Sequence, residues 1–278
     1  MKFTDDTSMA LCLSNSLIAC HDFNPYDQLV RYKWWYRYGY MSSTGHCFNI
    51  GQPARQSIQE FELKQKNAAQ KWVAGNGALM RLSPVPLFFY QIPEKAVLYS
   101  GLSAQITHGD KKAIDACRYY AAVIVAALQG KTKEELLDKD FHLKYQHWFR
   151  NDKLHQDIIN IAEGSFKKRG DYNDGIRGKG YVVQALEAAL WAFWNDEDSF
   201  KKGVLDGINL GDDTDTTAAI YGFNKLPEKW RREIYAKDLL LNIYNCLCFE
   251  GELWFRNQNE DSLINSLINF DRNSKKSY

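Results

Sequence analysis

Downstream of Asp6, apolar side chains fall at Met9, Cys12, Leu13, Leu17 and Cys20. Steps of three and four residues place them on one face of an α-helix, with Thr4 to Asp6 in its first turn. The same period recurs at Ile114, Cys117, Ala121, Ile124, Val125 and Leu128, and again at Val182, Leu186, Ala189, Leu190 and Phe193. Alternating patterns of the strand type are scarce, so the chain is expected to be all-α, a compact helical fold. Gly, Pro and Asn punctuate at Gly75-Asn76-Gly77, Pro84 to Pro86 and Gly170 to Gly180, which predicts loops there. None is long or biased enough to be a flexible linker, so residues 1–256 are read as one domain. Residues 257–278 are polar and rich in Asn and Ser, with a weak Leu263, Ile264, Leu267, Ile268 pattern, and predict a tail or marginal helix.

Composition adds mainly exclusions. The 278 residues are 45% hydrophobic and 25% charged, and 35 basic against 34 acidic side chains leave a formal net charge of +1. No global field draws the chain to nucleic acid or to a membrane. The start, Met-Lys-Phe-Thr-Asp-Asp, lacks the apolar region of a signal peptide, and no apolar run approaches the roughly 18 residues of a membrane span. A cytoplasmic location is expected. The aromatic block Trp34 to Tyr40 could stack bases, but without a basic groove core packing is the expected role. Six scattered cysteines suggest small buried hydrophobes rather than a disulfide framework, and Cys246-x-Cys248 has no second pair for zinc.

The candidate chemistry lies in two acidic clusters, Thr4-Asp5-Asp6-Thr7 and Gly211-Asp212-Asp213-Thr214-Asp215-Thr216-Thr217, each running into an apolar segment. Helix capping accounts for one or two such residues, since Asp and Thr are preferred N-caps and carboxylates suit the first turn. Three aspartates within four positions repel one another, and that calls for a cation. Asp5, Asp6, Asp213 and Asp215 supply four negative charges, enough to balance two Mg²⁺ or Mn²⁺ ions, and the hydroxyls of Thr4 and Thr216 add neutral oxygen ligands. The clusters are more than 200 residues apart, so the fold must bring two helix N-termini together. Gly75-Asn76-Gly77 reads as a turn or as a place where backbone approaches a ligand. A lone His108 ahead of a helix is usually a cap or a satisfied core group.

These motifs resemble those of the ADP-ribosylglycohydrolases. The similarity is carried by Thr4-Asp5-Asp6-Thr7-x-Met9 and Gly211-x-Asp213-x-Asp215-Thr216, and by Ser43-Thr44-Gly45-x-Cys47-x-x-Ile50-Gly51. It continues through Ala74-Gly75-Asn76-Gly77-x-Leu79-Met80-Arg81, Thr107-His108-Gly109 and Gly180-Tyr181-Val182-Val183, spanning about Thr4 to Tyr221. The resemblance implies an all-α fold with a dinuclear Mg²⁺ or Mn²⁺ cleft. It implies a hydrolase that removes ADP-ribose from a modified protein side chain or a related ADP-ribosyl compound, by cutting the bond to C1″. It further implies that Asp5 and Asp6 serve both metal and reaction, and that Gly75, Asn76, Gly77 and His108 contact the substrate.

The sequence also departs from the family pattern. That pattern carries a stretch before the Thr-Asp-Asp motif where this chain has only Met1, Lys2 and Phe3, so either a core helix is missing or the sequence is a shortened form. Asn49 stands where the pattern has an Asp, and an amide cannot take a proton at neutral pH. Tyr221-Gly222-Phe223 runs almost directly into Leu226-Pro227-Glu228-Lys229-Trp230, an apparent loss of part of a C-terminal helix. A second reading therefore stands beside the hydrolase, a degenerate member that binds metal and ADP-ribose without turnover.

Overall fold

The computed structural model describes residues 2–65, 73–222 and 236–274, with side chains to residue 258 in the last helix. It is built of helices, and no strand is present among the described residues; Gly75 and Tyr181 form an isolated antiparallel bridge. The helices are α1 Asp5–Cys20, α2 Pro25–Tyr38, α3 Gln52–Lys64, α4 Pro84–Phe89, α5 Pro93–Gln105 and α6 Lys111–Leu128. Three short ones follow, α7 Lys133–Leu136, α8 Phe141–Lys144 and α9 Gln156–Ala162, then α10 Val182–Asn195, α11 Phe200–Asn209, α12 Thr214–Tyr221 and α13 Lys237–Ser274. The segment Leu226 to Trp230 lies outside the described residues, whereas 257–274 continue α13 as helix.

The apolar face read from α1 is buried at Met9, Cys12, Leu13 and Leu17. Leu13 and Leu17 join a core with α4, α5, α6 and α10, while Met9 and Cys12 join a second cluster with Leu29, Tyr32 and Trp35 of α2 and Ile58 and Phe61 of α3. Thus α1 lies between two apolar clusters, and its N-terminal turn is held by packing on both sides. The most extensive pairing is α5 on α6, with α10 against α6 and α12 against α10 and α11. That succession carries the start of α12 to the start of α1.

Two sequence expectations are corrected. Pro84 to Pro86 do not form a loop but open α4, because the first helical turn needs no N–H donors from its own residues and proline's fixed φ suits it. The aromatic block is only partly core: Trp35 is fully buried, but Trp34 and Tyr38 lie on the open side of α2. Consecutive residues point about 100° apart on a helix, so the block cannot all face one way. The six cysteines are free, with Cys12 and Cys117 buried.

Candidate metal centre

The N-terminal turns of α1 and α12 meet. Asp5, Asp6 and Asp215 each offer a carboxylate oxygen, and these oxygens lie within 4.8 Å of one another. Thr216 donates its hydroxyl to Asp6 Oδ1 at 3.0 Å, and Thr4 donates to Asp6 Oδ2 at 3.0 Å. Asp213 stands beside this trio, its Oδ2 accepting from Asn76 Nδ2 at 2.7 Å. Neither Thr4 nor Asp213, the N-caps of α1 and α12, makes a side-chain cap bond. Capping therefore does not account for these clusters: their polar atoms face one another across the two helix ends.

The electrostatics of the cluster are unfavourable as it stands. Asp5 and Asp6 are buried, and among the described residues none of the four carboxylates forms an ion pair. Burial, and then the neighbouring Asp6, pushes the Asp5 carboxyl up to about 7 from its ordinary 3.8. Burial and the charge of Asp215 raise Asp6 against the opposing hydrogen bonds from Thr4 and Thr216. Asp213 is raised by burial as well, opposed by the Asn76 amide and Thr216. Carboxylate oxygens gathered at one point, with the hydroxyls of Thr4 and Thr216 beside them, are the donor set that suits a hard divalent cation.

One wall of the site is the loop Ala74 to Ala78. Asn76 N–H donates to Gly180 O at 3.0 Å, Val182 N–H to Ala74 O at 2.9 Å, and Asp213 N–H to Gly178 O at 2.7 Å. Three segments distant in sequence are thus laced by backbone bonds next to the carboxylates. The two glycines leave room for His108: a Cβ on Gly75 would stand 3.2 Å from His108 Nε2, and one on Gly77 3.0 Å from His108 Cε1, so either would press on the ring. His108 is brought to the same loop but lies beneath it, 2% exposed. Burial and then Arg81 drive its pKa down to about 3, so the ring is neutral at physiological pH.

Sequence reasoning missed several supporting residues. Asn49, at φ 58°, donates Nδ2 to Asp5 Oδ1 at 3.2 Å. Asn is one of the few residues that tolerate the left-handed region, and its position one residue before Ile50-Gly51 was the available signal. Ser43 Oγ donates to Phe3 O at 2.6 Å and ties its loop to the entry of α1. Arg81 is fully buried behind the glycine loop; it closes the Ala74-to-Arg81 motif in the sequence, but its burial is not marked there, since arginine is normally at the surface.

The model of the ADP-ribosylglycohydrolase family matches residues 1–254. The chain is 30% identical over 257 residues to the "ADP-ribosylarginine hydrolase Tri1" of Serratia proteamaculans, covering 87% of this chain and 66% of that one. It is 34% identical over 247 residues to the "ADP-ribosylarginine hydrolase Tri1" of Pseudomonas putida, covering 84% and 62%. The chain therefore spans just under two thirds of the length of these relatives. A solved structure titled "ADP-ribosylglycohydrolase-related protein complex" superposes with a TM-score of 0.74 at 32% identity, covering 90% of this chain and 82% of that one.

Proposed function

Since this chain belongs to the ADP-ribosylglycohydrolase family, we propose that it is a metal-dependent hydrolase that releases ADP-ribose from a modified protein, with arginine as the acceptor residue. The observation that carries the reaction is the meeting of Asp5, Asp6 and Asp215 within 4.8 Å at two helix N-termini. The arginine acceptor rests on the names of the two relatives at 30% and 34% identity.

In this reading Asp5, Asp6, Asp213 and Asp215 hold two divalent cations, Mg²⁺ or Mn²⁺, with the Thr4 and Thr216 hydroxyl oxygens as neutral donors. Such ions, when bound, neutralise the carboxylates, polarise ribose hydroxyls and acidify water. The chain's own residues do the rest. Gly75, Asn76 and Gly77 let backbone approach the ADP-ribose closely, and His108 acts from beneath them. Asp5 and Asp6 stabilise positive charge that develops on the ribose as the bond at C1″ to the guanidine nitrogen breaks. A water oxygen forms the new bond to C1″, its proton passes to a carboxylate, and the leaving nitrogen takes up a proton. No helix among the described residues is long and apolar enough to cross a membrane, and a cytoplasmic protein substrate fits the reading.

The test compares substrates. Protein carrying ADP-ribose on arginine should release it in the presence of Mg²⁺ or Mn²⁺, faster than the same label on serine. Equal or greater release from serine would displace the arginine assignment. Binding of ADP-ribose without release from any acceptor would establish the degenerate binder instead.

A further inference from the structure

Arg81 is a cation in the core without a counter-ion. It is fully buried, and among the described residues no carboxylate pairs with it. Its Nη1 donates to Gly77 O at 2.8 Å, and its Nη2 to Ser103 O at 3.2 Å and to Thr107 Oγ1 at 2.7 Å. The guanidinium carbon lies 5.0 Å from the centroid of the Tyr32 ring. Burying an unpaired charge is costly, and a guanidinium held only by carbonyls, a hydroxyl and a ring face indicates a specific task.

The next link in the chain is Thr107, whose Oγ1 lies 2.8 Å from His108 Nδ1. Arg81 can only donate, so one lone pair of the Thr107 oxygen is engaged. Thr107 is fully buried and has these two side-chain partners. If His108 Nδ1 carried a proton it would donate to Thr107, and the Thr107 hydroxyl hydrogen would be left buried without an acceptor. The arrangement that satisfies both Thr107 Oγ1 and His108 Nδ1 has the Thr107 hydroxyl donating to a bare Nδ1. The proton of the neutral ring then sits on Nε2, the atom nearest Gly75 at its Cβ position. The side-chain bond that His108 makes among the described residues is the one through Nδ1.

We infer that Arg81 and Thr107 are positioning residues that lock His108 in the Nε2–H tautomer, so that the ring offers a fixed donor at the glycine loop to an oxygen acceptor of the ligand. Arg81 grips the same loop through Gly77 O, so a single side chain sets both the loop carbonyl and the direction of the histidine donor. A buried cation behind the donor favours an anionic acceptor, and the diphosphate of ADP-ribose supplies one. That ligand assignment rests on the function proposed above; the tautomer does not.

Long-range ¹H–¹⁵N correlation spectra of histidine-labelled protein read the tautomer directly, with the His108 signals assigned by their loss in His108→Gln. The wild type should show Nδ1 unprotonated and Nε2 protonated. In Thr107→Val the Nδ1 acceptor loses its donor, so its resonance should move toward the exchange-averaged range. Affinity for ADP-ribose should fall about tenfold. Thr107→Ser should restore both. An Nδ1–H tautomer in the wild type overturns the inference, as does a His108 spectrum in Thr107→Val identical to the wild type. If Thr107→Val does not fold, the wild-type spectrum together with Thr107→Ser decides. A locked Nε2–H tautomer in a protein that does not bind ADP-ribose would uphold the relay and remove the ligand assignment.

Discussion

The Thr216 hydroxyl donates to Asp6 Oδ1 at 3.0 Å across 210 residues of sequence. This bond joins the first turns of two helices that each bring carboxylates to the same point. Chains do not place buried acidic groups together without compensation, and burial together with the neighbouring Asp6 raises the Asp5 carboxyl. A divalent cation converts that cost into affinity, which leads to the first prediction.

Mg²⁺ or Mn²⁺ should raise the thermal midpoint. A ligand that binds only the native state stabilises it by about 2.7 kcal/mol at a hundredfold excess over Kd. Asp215→Ala removes one of the three clustered carboxylates and should abolish most of the shift. An Asp215→Ala protein that responds to metal as the wild type does would remove Asp215 from the site.

Stability in chelator should depend on pH with a definite sign. Asp5 is protonated more readily folded than unfolded, about 7 against 3.8. The folded state therefore binds more protons in that window, and the stabilisation present below 3.8 is lost as pH rises through 7. Relative to Asp5→Asn, the metal-free wild type should lose thermal midpoint between about pH 4 and pH 7. Metal affinity should rise over the same interval, because binding displaces the proton. A midpoint difference that does not vary with pH contradicts the placement of Asp5.

Asn76→Ala removes the amide that donates to Asp213 Oδ2 at 2.7 Å and leaves that carboxylate oxygen short of a donor. A loss of about 1 to 3 kcal/mol is expected in the denaturant midpoint of the metal-free protein. ADP-ribose affinity should fall with it. Unchanged stability would mean that the Asn76 contact does not hold the loop to α12.

Gly251 of α13 packs directly on the backbone of α4, where an added Cβ would fall inside contact distance of the Phe88 carbonyl. Backbone cannot swing aside as a side chain can. Gly251→Ala should destabilise by about 1 to 3 kcal/mol despite alanine's better helix propensity, read by chemical denaturation. A neutral or stabilising substitution would show that α13 is seated differently.

How far the sequence disclosed this protein depends on the range of the interaction. The apolar face of α1 was legible because three- and four-residue spacing is a local signal, and Met9, Cys12, Leu13 and Leu17 are buried as expected. The two acidic clusters could be matched by their shared Asp-Thr spelling and by charge balance, although their meeting depends on α10, α11 and α12 returning the chain to α1. Local punctuation misled at Pro84, where proline starts a helix instead of breaking one. Asn49 was visible only as a departure from a pattern; its donation to Asp5 depends on a left-handed backbone that residue type permits but does not dictate. Arg81 and Thr107 stood in the motifs that carry the family resemblance, but their pairing was not legible, since the contacts that define it join α5, the turn after it and the glycine loop.

The most direct measurement is the release of free ADP-ribose from arginine-ADP-ribosylated protein by the purified chain. It would be followed with Mg²⁺ or Mn²⁺, then with excess chelator, and then with metal restored. The account predicts turnover with metal, loss on chelation, recovery on re-addition, and a fall of at least about a hundredfold in Asp6→Asn, whose carboxylate stands at the centre of the cluster. Release that is unaffected by chelation, or that survives Asp6→Asn at the wild-type rate, would contradict it.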